Sequence, residues 1–262
     1  ENMLKVLEET PEAYQRAYAD ALKCDALPQA LARPATHLVF VGMGGSAIAA
    51  DVLKDWLFES PTAIEVVRGA SLPGSVRPGS CVLVASYSGQ TSEALKAFKE
   101  ALRRNSGVSC IASGGDMIKT CREKRIPYIQ VAPGLQPREA LPQLLSASLV
   151  ILERWRICNH TRVSTELRSV TTQLIELRKR IGFGQPQAQN PAKRLANQLL
   201  GKILFVYSSQ FLAAAGRRFK NQLNENAEVL AKFEVLPEML HNEVQSWQML
   251  DEANFAESVA FV

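Results

Sequence analysis

Three stretches of the 262-residue chain combine residue types that could bind or transform a charged ligand. The first, Gly42-Met43-Gly44-Gly45-Ser46, lies between an apolar run ending at Val41 and a helical segment reaching Phe58. Glycines let backbone N–H groups approach a ligand, and a helix start adds roughly half a positive charge, so this loop suits an anion. It is neither GxGxxG, because position 47 is Ala, nor a P-loop, because no Gly-Lys-Ser/Thr follows. A tight strand-to-helix turn is the plain alternative. The second stretch places Ser86, Ser88 and Thr91 between another apolar run and another helical segment, with Gly89 to permit the turn. Thr91 stands where its hydroxyl would cap the helix. Capping needs one hydroxyl; three, with helix-start amides, can bind the oxygens of a phosphomonoester without a metal. A similar turn at Ser113–Asp116 is expected to be structural.

The third stretch, Asn221–Ala231, reads as a polar loop after a helix, with Glu225 between two Asn residues. A carboxylate there is either a surface charge or a general base. His241, in the His-Asn-Glu triplet after Pro237, is either structural or an acid/base group, its reference pKa being near ~6.5. Arg138, after Pro137, can be an exposed residue at a helix start or a cation facing a ligand.

The elements that must position these residues follow from the apolar pattern. Five short β-rich runs, His37–Val41, Ile64–Arg68, Cys81–Ser86, Val108–Ala112 and Pro127–Val131, alternate with helical segments, as a parallel sheet with crossover helices requires. Leu4–Leu31 predicts one or two packing helices, with Pro11 in a first turn. Leu141–Ile157 and Val163–Ile181 predict long helices joining two lobes. Beyond a turn-rich break at Gly182–Lys193, Lys202–Tyr207 restarts the strand-loop-helix pattern. Only Ser258–Val262 offers a further strand, and two strands cannot close a core, so the second lobe is expected to be incomplete. The expected division is a first lobe at 1–158, linker helices at 159–201 and the start of a second lobe at 202–262.

Composition narrows the function. An apolar fraction of 47 % supports buried cores, and the net charge of +4, from 30 basic and 26 acidic residues without a dense basic block, argues against nucleic acid. Five cysteines without CxxC or Cys/His spacing argue against a disulfide framework or zinc, and fit a reducing cytoplasm. No apolar run reaches the ~20 residues that span a bilayer. Neither a metal nor a cofactor is expected.

The segments GMGGSAIAADVL and SYSGQTSEALKAF resemble the SIS (sugar isomerase) fold, whose second loop reads S-x-S-G-x-T, while FKNQLNENAEVLA and LPEMLHNEVQSW resemble its bifunctional phosphoglucose/phosphomannose isomerases. The resemblance implies an α/β protein of two SIS lobes, a homodimer with sites shared across subunits, and interconversion of hexose 6-phosphates through an enediolate. It implies phosphate binding by Gly44, Gly45, Ser46, Ser86, Ser88 and Thr91. It further implies Glu225 as the base moving a proton between C1 and C2, with Glu228 and Glu243 as weaker candidates, and His241 as the ring-opening group contributed across the dimer. Arg138 would face the developing enediolate, where a cation stabilises charge present only near the transition state. The lysine of the family's terminal helix has no counterpart here. The competing readings are a non-catalytic sugar-phosphate sensor, against which the absence of a DNA-binding module speaks, and an epimerase or amidotransferase isomerase lobe.

Overall fold

The computed structural model describes residues 3–30, 34–247 and 256–262. The chain divides into two compact units, one of Glu1–Leu53 with Glu59–Glu176, the other of Lys54–Phe58 with Leu177–Val262.

In the first unit the five apolar runs become strands β1 (His37–Val41), β2 (Ala63–Val67), β3 (Cys81–Ala85), β4 (Gly107–Ala112) and β5 (Tyr128–Gln130). They form one parallel sheet in the order β2-β1-β3-β4-β5. Leu38–Val41 and Cys81–Ala85 are buried along their whole length, which is why these strands read as continuous apolar runs and not as alternation. The helices of this part of the chain are α1 (Met3–Leu22), α2 (Gly45–Trp56), α3 (Ser92–Arg103), α4 (Gly115–Lys124), α5 (Leu141–Arg154) and α6 (His160–Ile181). On α3, Ala94, Ala97, Phe98 and Ala101 fall on one face and pack in a core with Val82, Val84, Val108 and Met117. Removing the fully buried Phe98 ring would cost about 3–5 kcal/mol. Helix α5 is apolar nearly all round, hence a core helix, and its Ser146 hydroxyl donates to the Tyr14 carbonyl of α1 at 2.9 Å.

The amino-terminal helix departs from its expected form. It is a single helix ending at Leu22, with Pro11 buried in its interior instead of its first turn. The Thr10 hydroxyl donates to the Val6 carbonyl at 2.7 Å in the turn that the proline interrupts. Leu31, the expected end of this region, lies outside the described residues.

The second unit contains α7 (Pro191–Leu199), started by Asn190, whose side chain accepts the Lys193 amide. Strands β6 (Ile203–Ser209), β7 (Ala231–Leu236) and β8 (Val259–Phe261) form a parallel sheet in the order β7-β6-β8, with α8 (Ala213–Asn226) connecting the first two. Among the described residues three strands therefore replace the two expected. The missed β7 has period-2 alternation, Ala231, Phe233 and Val235 against Lys232 and Glu234, and its charged residues hide it among the polar residues on either side. Helix α8 lies close on this sheet: a Cβ at Gly216 would stand 2.4 Å from the Phe233 ring.

Among the described residues no helix is long and apolar enough to cross a membrane, and no group of three or more His, Cys, Asp or Glu could hold a metal ion.

Candidate functional site

The strand order β2-β1-β3 reverses direction between β1 and β3, because the chain moves outward from β1 to β2 and then returns to β3. In open parallel sheets the crevice beyond the carboxyl ends of two such strands is where ligands bind. The loops that follow β1 and β3 are the Gly42–Ser46 and Ser86–Thr91 loops singled out by their residue types. They touch: the Tyr87 amide donates to Ser46 Oγ at 3.2 Å.

The hydrogen bonds within these loops leave a particular surplus. Ser46 Oγ accepts from Tyr87, and Ser88 Oγ accepts from the Gln90 amide at 3.2 Å, so both hydroxyls use lone pairs and keep their protons. Ser86 and Thr91 hydroxyls lie 2.9 Å apart, and whichever donates, the other retains its proton. Four hydroxyls thus hold three O–H donors for a group that only accepts, as an anion does. Thr91 is at the helix start as expected, but its hydroxyl makes no cap; Ser86 takes it instead.

The glycines are required by backbone packing as well as by ligand approach. Gly44 has φ +48° and open space around it. A Cβ at Gly45 would stand 2.5 Å from the Pro137 carbonyl oxygen and 2.9 Å from the Arg138 nitrogen, so the first loop abuts the segment carrying Arg138. Gly89, at φ +67°, lies against Gly114, whose carbonyl oxygen would be 1.9 Å from a Cβ. The Ser113–Asp116 turn thereby packs against the second loop.

Two residues of this region were not singled out by sequence. Tyr87, 5 % exposed, donates its hydroxyl to the Ala132 carbonyl at 2.8 Å and accepts the Leu135 amide at 3.0 Å. Burial first, and to a lesser degree the nearby Glu139 charge, push its phenol above the usual range, against the lowering effect of the Leu135 amide. Glu139 is 8 % exposed; its Oε2 accepts the Gln136 amide at 2.9 Å while its own amide donates to the Gln136 carbonyl at 2.9 Å. This reciprocal closure holds the turn that presents Arg138. Glu139 Oε1 has no hydrogen-bond partner among the described residues. Carboxylate spacing to Gln136 is the only sequence signal for this turn, and nothing in the sequence marks Tyr87 as more than the variable residue between two serines.

In the second unit, Glu225 is exposed in the last turn of α8, which corrects its expected place in a loop. Asn224 fixes that helix end by accepting the Ala231 amide at 2.9 Å. Glu228 is exposed at φ +54°. His241 ends a short 3-10 turn, Glu238–His241, anchored by the buried Met239; it is exposed too. Glu225 precedes β7 and His241 follows it, so the two lie at opposite ends of a six-residue strand, roughly 20 Å long at about 3.3 Å per residue. Glu243 lies beside the Tyr207 phenol, which burial first and this charge second hold well above its ordinary range. One copy of the unit does not bring Glu225 and His241 together.

Comparison with known proteins identifies the family of this chain. Residues 31–133 match the SIS domain, and residues 188–261 match the bacterial phospho-glucose isomerase C-terminal SIS domain. The chain belongs to the SIS proteins. Among curated relatives it is 34 % identical to the bifunctional phosphoglucose/phosphomannose isomerase of Aquifex aeolicus over 82 % of this chain and 63 % of that one. It is 29 % identical to the D-glucosamine-6-phosphate 4-epimerase of Sulfolobus acidocaldarius over 89 % of this chain and 70 % of that one. The chain thus spans about two thirds of the length of these relatives. The fold is shared with the C-terminal domain of glucosamine-fructose-6-phosphate aminotransferase from Francisella tularensis, at a TM-score of 0.67, 18 % identity and coverage of 93 % and 72 %. It is also shared with tagatose-6-phosphate ketose/aldose isomerase from Escherichia coli, at a TM-score of 0.61, 14 % identity and coverage of 92 % and 68 %.

Proposed function

We propose that this protein is a hexose 6-phosphate isomerase that interconverts glucose 6-phosphate, and also mannose 6-phosphate, with fructose 6-phosphate. The observation that carries the reading is the surplus of three O–H donors among Ser46, Ser86, Ser88 and Thr91 at the β1/β3 switch point. The relatives that are named bifunctional phosphoglucose/phosphomannose isomerase supply the reaction.

In this reading the phosphate of the substrate rests on Gly44, Gly45 and the four hydroxyls. His241 moves the proton that opens the sugar ring. Glu225 removes the C–H proton beside the carbonyl of the open chain and returns it to the neighbouring carbon, while the hydroxyl proton passes between O2 and O1, so that aldose and ketose interconvert with no net oxidation. Arg138 faces the enediolate between these steps, where a fixed cation is worth more than in either ground state. The separation of Glu225 from His241 along β7 supports a homodimer, since a sugar cannot touch both ends of that strand within one copy. A twofold axis would give each site one of each.

A coupled assay on the intact protein, with each hexose 6-phosphate and with EDTA present or absent, tests the proposal. Turnover of glucose 6-phosphate that survives chelation is expected. Saturable binding without turnover would mean a sugar-phosphate sensor. Activity confined to glucosamine 6-phosphate would favour the epimerase reading, for which the Sulfolobus relative is the specific ground.

A further inference from the structure

We propose that Tyr87 is a positioning residue that sets Arg138 against the phosphate cradle, an inference that rests on the isomerase reading above. Every polar atom of Tyr87 is engaged, and each engagement reaches a different loop. Its amide donates to Ser46 Oγ in the loop after β1 at 3.2 Å. Its carbonyl accepts both the amide and the hydroxyl of Ser113, in the loop after β4, at 2.8 and 2.7 Å. Its hydroxyl bridges Ala132 and Leu135, in the loop after β5, at 2.8 and 3.0 Å.

The last bridge is the informative one. Ala132, Pro133 and Gly134 are exposed, and Gly134 has φ +102°, so little else restrains the stretch between Val131, bonded to Ala112, and the turn at Gln136–Glu139. Arg138 is three residues beyond Leu135. Its backbone is therefore located from three sides: by the Tyr87 hydroxyl at Leu135, by Glu139 at Gln136, and by Gly45 beneath Pro137. The Glu139 and Gly45 restraints fix the shape of the turn and its contact with the first loop. The Tyr87 hydroxyl ties it to the second, hydroxyl-bearing loop. Because phosphate binding uses the loops after β1 and β3, which are joined through the Tyr87 amide, loss of the phenol oxygen alone leaves the cradle intact and frees only the arginine segment. A misplacement on the order of 1 Å in such a group can cost ~10²-fold in rate while leaving ground-state binding untouched.

Tyr87→Phe keeps the buried ring and removes the bridge. The measurement is steady-state kinetics with competition by inorganic phosphate, on wild type, Tyr87→Phe, Arg138→Ala and the double variant, with thermal melts to confirm folding. Tyr87→Phe is expected to lower kcat about tenfold or more, with KM and the phosphate inhibition constant within about twofold of wild type. In the Arg138→Ala background it should cause no further loss, since a residue acting through the guanidinium has nothing left to position. Losses that multiply in the double variant, or a Tyr87→Phe defect that lies in KM, would overturn the proposal and leave the isomerase reading standing. Absence of turnover in the wild type overturns both.

Discussion

The two units of this protein hold their polar side chains in contrasting ways. In the first, Ser46 and Ser86 are almost wholly buried, Thr91 half so, and all three are hydrogen-bonded before any ligand arrives, Ser46 to the Tyr87 amide of the next loop and Ser86 and Thr91 to one another. In the second, Glu225 and His241 stand exposed at opposite ends of β7, each at the end of a helical turn. Under the proposed function the contrast separates binding from chemistry. A cradle for a permanent anion can be finished inside one unit, since its donors gain from being fixed beforehand. In the proposed reading Glu225 and His241 exchange protons with the substrate, and a single copy of the second unit presents them as isolated ends.

The sharpest way to break this division is to remove the base. Glu225→Gln keeps size and hydrogen bonding, so kcat should fall by at least ~10²-fold while KM stays nearly unchanged. Wild-type turnover, or a defect confined to KM, would pass the role to Glu228 or Glu243. His241→Ala should hurt turnover of a cyclic substrate more than that of an open-chain one, measured with matched analogues.

A smaller effect sharpens the same comparison. If each site draws Glu225 from one copy and His241 from another, equal mixing of Glu225→Gln and His241→Ala proteins after subunit exchange should restore about one quarter of wild-type activity. That fraction is half the dimers with one of two sites repaired. Activity that remains at the level of the separate variants would show that both residues act from a single copy.

The smallest change concerns the cradle. Ser86→Ala leaves three O–H donors but removes the partner that fixes the Thr91 hydroxyl, so inorganic phosphate should inhibit about tenfold less well, with kcat within about twofold. A kcat defect of ~10²-fold with unaltered phosphate inhibition would mean that this pair belongs to the chemistry and not to the binding.

What the sequence disclosed follows the same line. The first sheet was legible because its central strands β1, β3 and β4 are buried nearly throughout and so read as apolar runs, each ending in a loop of glycines and hydroxyls. Strand β7 escaped notice because one of its faces is charged, and Glu225 was set in a loop because Asn-rich helix ends look like loops. The Thr91 hydroxyl was read as a cap because that is the local preference; its actual partner, Ser86, faces it across a turn that only coordinates reveal. Tyr87 and Glu139 were invisible for a related reason, since their partners lie on other loops or serve a turn with no distinctive composition. The roles of Glu225, His241 and Arg138 came from family resemblance, not from any pattern in their spacing.

The backbone contact between Gly89 and Gly114 reaches beyond ligand binding. With no side chain between them, the amides of Gly89, Ser113 and Met117 close onto Ser86, Tyr87 and Gly89 carbonyls at 2.8–3.1 Å. Those protons are shielded like the protons of a central strand, although two of them lie in connecting segments and the third in the first turn of α4. In native-state hydrogen exchange they would report the opening of the sheet itself and not the fast breathing usual for loops. The cradle would then carry no local unfolding equilibrium of its own, and its readiness for an anion would last as long as the sheet does.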